Sequence, residues 1–324
     1  MCPAASEFAG RVSFITGPEK GSGKTTFLRY VLGLLRAEGL RPAVMTLGLE
    51  GDRGRSDPAA SAGSGPPSRS AAPGARSGPG RSQFACLPGE IFLSSERLLR
   101  SSTCLPEILD LLPGSSALGR IVIARARRSG RVVLVGPEHN EHLAWAIERI
   151  RGEGWADTIL VDGALNRITL AAAVPGARFH FVLRVARGEL DRALGTLRRL
   201  HRLLGLPLLD GGPPAPPAAP PAAHTATPGV VPYELDGPLT AETLARIPTE
   251  ARTIVVEDFT KVFLDAASLS ALLRNRFLVL RRGVEFGGFV VILRDLVREE
   301  FLDALADSDL ARQISFNPYE VAHV

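Results

Sequence analysis

A chain of 324 residues is long for one core, so one large or two smaller domains are expected, and 45% hydrophobic residues are enough to bury one. The formal net charge is only +4, with basic residues spread along the chain, which argues against nucleic acid as the leading partner. Cys2, Cys86 and Cys104, odd in number and far apart in sequence, fit neither a disulfide framework nor a C-x-x-C metal site. The N-terminus has no export pattern, and no run of ~18 apolar residues follows, so a soluble, cytoplasmic protein is expected.

In chain order, RVSFIT (11–16) alternates at strand length. The glycine-rich GPEKGSGKTT (17–26) follows, and then TTFLRYVLGLLRAEG, whose Phe27, Leu28, Val31, Leu32 and Leu35 share one helical face and whose stop is Gly39. RPAVMTLGL is the next strand. A strand–helix–strand crossover of this kind implies a parallel sheet covered on both faces. From residue 51 to 83 the chain turns to Ala, Gly, Pro, Ser and Arg without apolar period, and a disordered insertion is expected.

Order resumes with GEIFLSS, a helix over Pro106 to Leu111, the apolar GRIVIARA, and strand RVVLVG. A helix from Glu141 to Arg151, the strands DTILVD and ARFHFVLRV, and the amphipathic ELDRALGTLRRLHRLLG complete a first domain over 10–206. A Pro/Ala-rich linker occupies 207–229. Beyond it TIVVED, RFLVLRR and GGFVVILRD read as strands. Helices are expected near Thr240 to Arg246, Ala266 to Asn275 and Val297 to Ala306, making a small α/β module over 230–324 that either extends the first sheet or stands apart. The fold class is therefore α/β, a mostly parallel sheet of the phosphate-loop NTPase kind with helices on both faces, plus the smaller module.

The chemistry concentrates in GPEKGSGKTT. A phosphate loop works because small residues let backbone N–H groups point at phosphates while the following helix adds its positive end. Gly17, Gly21, Ser22, Gly23, Lys24, Thr25 and Thr26 are the candidate nucleotide contacts, with Lys24 reaching the β/γ-phosphates and Thr25 ligating Mg²⁺. The spacing is irregular: G-x-x-x-x-G-K-[ST] places its first glycine where this chain has Pro18, one residue after Gly17. Only three of the 38 basic residues are lysines, Lys20, Lys24 and Lys261, and two of them lie in this loop. The bland alternative is a glycine turn capping a buried helix.

A carboxylate from another strand end is needed for the metal. Asp162, closing DTILVD before Gly163, is the first candidate, the alternative being a turn cap. Glu50 and Asp52, in TLGLEGD, are rival ligands placed like a nucleotide-sensing switch or, equally, like a plain surface loop. Arg167, near Asn166, is a candidate for charge stabilisation at the γ-phosphate. Glu257, Asp258 and Lys261 mark either a functional edge or a capped loop. His139 and His142 lack a third ligand and are expected to face solvent.

Taken together, ITGPEKGSGKTT, TLGLEGD, GRIVIARARRSGRVVLVGP, WADTILVDGALNR and ISFNPYEV resemble the phosphate-loop subunit of the lysine 5,6-aminomutase reactivase, over most of the chain except 51–83 and the linker. That resemblance implies an ATPase acting on a partner, an adenosylcobalamin-dependent aminomutase or the other reactivase subunit. Gly23, Lys24 and Thr25 would then form the phosphate loop, and Asp162, Asn166 and Arg167 the second motif. The cofactors would be ATP, or GTP, with Mg²⁺; no guanine-reading N-K-x-D is present. Two other functions stay open: a nucleotide-binding assembly subunit with negligible turnover, and a kinase or ligase of cofactor synthesis.

Overall fold

The structure is a computed structural model that describes residues 3–18, 21–46, 83–114, 116, 118–163, 174, 176–209 and 232–316. The expected insertion up to residue 82, and the linker from residue 210, therefore lie outside the described residues. The strands are β1 (Val12–Thr16), β2 (Ala43–Thr46), β3 (Gln83–Cys86), β4 (Ile91–Ser95), β5 (Pro106–Leu111), β6 (Ile121–Ala126), β7 (Gly130–Val133), β8 (Ile159–Asp162), β9 (Arg178–Ala186), β10 (Tyr233–Glu234), β11 (Thr253–Val256), β12 (Phe277–Leu280), β13 (Glu285–Arg294) and β14 (Ile314–Phe316). The helices are α1 (Lys24–Ala37), α2 (Glu96–Leu99), α3 (Asn140–Gly152), α4 (Leu190–Leu204), α5 (Ala241–Arg246), α6 (Ala266–Asn275), α7 (Arg298–Leu305) and α8 (Ser308–Arg312).

The protein is α/β, built on a nine-stranded sheet in the order β14-β13-β9-β1-β8-β2-β4-β6-β5. Every pairing from β14 to β4 is parallel, while β6 and β5 join antiparallel at one edge. The five residues of β1 and the four of β8 are all buried, as strands covered on both faces must be, which is why VSFIT and ILVD read as near-continuous apolar runs.

Each face of the sheet carries its own apolar cluster. On one, Phe14, Val161 and Phe181 pack with Leu143, Ile147 and Ile150 of α3 and Leu194, Leu197 and Leu200 of α4. On the other, Ile15, Leu160 and Val182 pack with Phe27, Leu28, Val31, Leu32 and Leu35 of α1, joined by the two-stranded antiparallel sheet of β3 and β7. Among the described residues no helix is long and apolar enough to cross a membrane.

One expectation needs correction. Residues 106–111 form strand β5, not a helix. Over six residues apolar period cannot separate the two, and here the ladder with β6 wins, with Pro106 tolerated as the first residue of an edge strand. The chain beyond 230, expected either to extend the first sheet or to stand apart, does some of each. β10, β11 and β12 make a separate three-stranded parallel sheet, whereas β13 pairs along the whole of β9 and carries β14 with it. The reason is burial: Phe289, Val290, Val291 and Ile292 alternate between the two core clusters and need cover on both sides. The start of the expected linker also has an ordered role, since Leu208 bridges to Leu280 and Pro207 accepts the Leu280 N–H.

Candidate functional site

The loop between β1 and α1 sits at the C-terminal edge of the parallel sheet, where ligands bind in open α/β folds. Thr16, the last residue of β1, is buried and its hydroxyl donates to the His180 carbonyl of β9 at 3.1 Å. Gly17 comes next, in a very tight place. A Cβ there would lie 2.5 Å from both Ser22 Oγ and the Val182 carbonyl oxygen. Glycine is required at 17 by this close approach of two backbones.

Further along, Gly21 has φ 85° and Gly23 has φ 95°, a region that side-chain-bearing residues rarely adopt. Gly23 is also pressed on the sheet, for a Cβ on it would meet Ile292 Cδ1 at 2.0 Å. It is the N-cap of α1, accepts the Phe27 N–H at 2.9 Å and brings no side chain to cap the helix. A helix leaves its first N–H groups without intrahelical partners, so the turn at Lys24, Thr25 and Thr26 presents amide donors and a positive dipole end outward. Ser22 is buried under the loop, and Lys24 Nζ donates to its Oγ at 3.2 Å.

Asp162 ends β8, between Ile15 and Thr46 of the flanking strands, and is only 5% exposed. Its Oδ2 accepts the Thr25 hydroxyl at 3.3 Å, joining two residues 137 positions apart in sequence. A cleft beside this pair is lined also by Arg29, Thr46, Gln83 and Phe84. None of these four was singled out from sequence. Arg29 carried a usable signal, one helical turn after Thr25, but Gln83 and Phe84 enter only because β3 folds back beside α1. Glu50, Asp52, Asn166, Arg167, Glu19 and Lys20 lie outside the described residues.

The remaining candidates fall elsewhere. His139 and His142 stand edge to face, ring centroids 5.6 Å apart, in a second cleft with Gly114, Ser116 and Glu138. Among the described residues no group of three or more His, Cys, Asp or Glu is arranged to hold a metal ion. Asp258 is buried and caps a short turn by accepting from the Thr260 N–H at 2.7 Å, and Glu257 pairs with Arg282 at 3.0 Å. That is the capped-loop alternative in structural terms.

One buried ionisable group lies directly beneath the loop. His180, on the strand next to β1, stacks on Phe8 at 4.7 Å between ring centroids, and its Nε2 has no hydrogen-bond partner among the described residues. Burial, with a smaller contribution from the charge of Arg178, pulls its pKa down to about 3, so the ring is neutral near pH 7.

Fold and site together define an α/β protein whose large, mostly parallel sheet carries a strained glycine loop, a helix N-terminus and a threonine–carboxylate pair at one edge. Compared with protein families, with curated proteins and with solved structures, the chain gives no match.

Proposed function

We propose that the chain is a phosphate-loop nucleotide-binding protein, an NTPase with ATP as its expected nucleotide, acting on a partner protein. The observation that carries this is the Thr25–Asp162 hydrogen bond at the C-terminal edge of the sheet. A hydroxyl and a carboxylate held together beside a glycine loop are the protein's share of a magnesium site, which takes one or two such ligands and completes its shell with phosphate oxygens and water. When bound, Mg²⁺ would neutralise charge on the β- and γ-phosphates.

The chain's own residues divide the remaining work. Gly21 and Gly23 turn backbone amides outward, α1 adds its dipole, and Lys24, folded onto Ser22 in this structure, is one side-chain extension from the same space. The sequence resemblance supplies the partner, lysine 5,6-aminomutase or the other reactivase subunit, and with it ATP-driven restoration of a stalled cobalamin enzyme. Arg167 would be the charge-stabilising residue, and Glu50 the switch-side metal ligand.

Titration of the full chain with ATP and with GTP, each with and without Mg²⁺, tests the proposal. Binding is expected for the native chain and is lost in Lys24→Ala; equal affinity in the two sinks it. Phosphate release, measured with and without the aminomutase, separates an NTPase from an assembly subunit that binds without turnover.

A further inference from the structure

Two thiols that sequence spacing keeps apart meet in the fold. β3 ends at Cys86, whose partner across the β3–β7 ladder is Gly130. A Cβ on Gly130 would lie 2.4 Å from the Cys104 backbone nitrogen and 2.6 Å from its Cα. Cys104 therefore occupies the side-chain place of the residue opposite Cys86. Cross-strand partners point to the same face, so the two cysteines stand side by side.

The turn that delivers Cys104 is fixed independently. Thr103 N–H donates to Arg131 O at 2.9 Å, Arg131 N–H to Thr103 Oγ1 at 2.8 Å, and Arg127 N–H to Cys104 O at 3.1 Å. Paired residues of an antiparallel ladder have Cα atoms roughly 4.5–5.5 Å apart. Standing where the Gly130 side chain would be, Cys104 takes the place of a cross-strand neighbour of Cys86, the kind of position from which a disulfide can be closed. Both belong to the apolar cluster on the α1 face, Cys86 2% exposed and Cys104 fully buried, and the two thiols lie close enough to perturb each other's ionisation.

We propose that Cys86 and Cys104 are a modification site at which a small disulfide oxidant such as glutathione disulfide closes an intramolecular bridge. One cysteine thiolate attacks a sulfur of the oxidant and expels one glutathione thiolate. The second cysteine, after losing its proton, attacks the resulting mixed disulfide and expels the other. The protein loses two electrons and two protons, and the oxidant leaves as two molecules of glutathione.

Burial pushes both thiols up, and Cys86 further because Cys104 and Glu90 lie beside it, so the closed sheet disfavours the attacking thiolate. Reaction proceeds through opening of β3 from β7, a two-stranded sheet of the marginal kind. Closure would tie down β3, whose Gln83 and Phe84 line the cleft at Thr25 and Asp162. Bridge formation itself does not depend on what that cleft binds.

The experiment uses the full chain carrying Cys2→Ser, incubated with glutathione disulfide under native conditions for at least as long as iodoacetamide takes to label both remaining thiols of a parallel sample. Intact mass and a non-reducing peptide map are the readouts, and the same map on the unsubstituted chain serves if Cys2→Ser folds poorly. Both thiols are expected to disappear together, with a mass loss of two hydrogens and one linked species holding the Cys86 and Cys104 peptides, reversed by dithiothreitol. Stable addition of one glutathione to either cysteine, or two thiols left intact at the end, overturns it. So does a chain whose thiols never label, since they would then be inert core residues.

Discussion

Gly17→Ala and Gly21→Ala separate two different reasons for a glycine in the same loop. At Gly17 an added Cβ sits 2.5 Å from a backbone oxygen of β9, and β9 is held by β1 on one side and β13 on the other. Such a strand does not move cheaply, so the substitution has the character of overpacking, at about 1–3 kcal/mol. It also drives Ser22 Oγ away, which removes the acceptor that Lys24 Nζ uses. At Gly21 the same Cβ meets nothing within 4 Å among the described residues, and the φ of 85° is what opposes it. The cost there is roughly 1 kcal/mol of left-handed strain, partly offset by the lower entropy of an unfolded chain with alanine. Urea unfolding of the two variants, with equal slopes, should place Gly17→Ala below Gly21→Ala in midpoint. The reverse order, or equality, refutes the claim that residue 17 is clamped between strand and loop. In nucleotide titrations Gly17→Ala should also lose more affinity, because it displaces the loop as a body.

Asp162→Asn keeps the volume and an acceptor for Thr25 but removes the charge, so it should weaken nucleotide binding in the presence of Mg²⁺ and leave metal-free binding nearly unchanged. Native chain at a nucleotide concentration of 100 times Kd should gain about 2.7 kcal/mol of stability, and Lys24→Ala should gain none. His180 is held neutral with its folded pKa near 3, below the ordinary 6.5, so between those values the unfolded chain binds the extra proton. Stability should thus fall by roughly 1 kcal/mol per pH unit on acidification through that window, and the slope should be shallower in His180→Phe. Glu90, 1% exposed, accepts two hydrogen bonds from Arg36 at 2.7 and 2.8 Å and one from the Leu87 N–H at 2.8 Å. Glu90→Ala should cost about 3 kcal/mol in denaturant unfolding, the low end for a broken buried pair because Arg36 keeps 23% of its side chain exposed.

What could be read from residues alone followed the strength of local signals. β1 and β8 are fully buried and mostly apolar, α1 and β9 are long, and α1 begins at the glycine that its sequence marks. The place of Asp162 at the end of β8 was legible because a carboxylate closing a buried strand falls at the C-terminal edge of a parallel sheet. β5 was misread because six residues with apolar positions at both strand and helix spacing are decided by a neighbour, here β6. The split beyond residue 230 was hidden for a similar reason. GGFVVILRD shows that a strand is buried, but its partner is β9, some hundred residues away, and nothing local names it. Cys86 and Cys104 are the sharpest case: their separation in sequence argued against a bridge, and only the return of β7 to β3 brings them together.

The irregular spacing of the glycine loop can now be placed physically. Gly17 is fixed by contact with β9 and Ser22, whereas Gly21 and Gly23 are fixed by backbone angle and, for Gly23, by Ile292. Pro18, which follows the first of these anchors, is exposed. The positions that face the amide-lined end of α1, from Gly21 to Thr25, keep the order and spacing of G-x-G-K-T. Lys24 and Thr25 are positioned by α1, which is seated on the sheet by Phe27, Leu28 and Val31, and by the bond from Thr25 to Asp162. The departure from the common pattern therefore falls at Pro18, ahead of the positions from Gly21 to Thr25 that would meet phosphate under the proposed function.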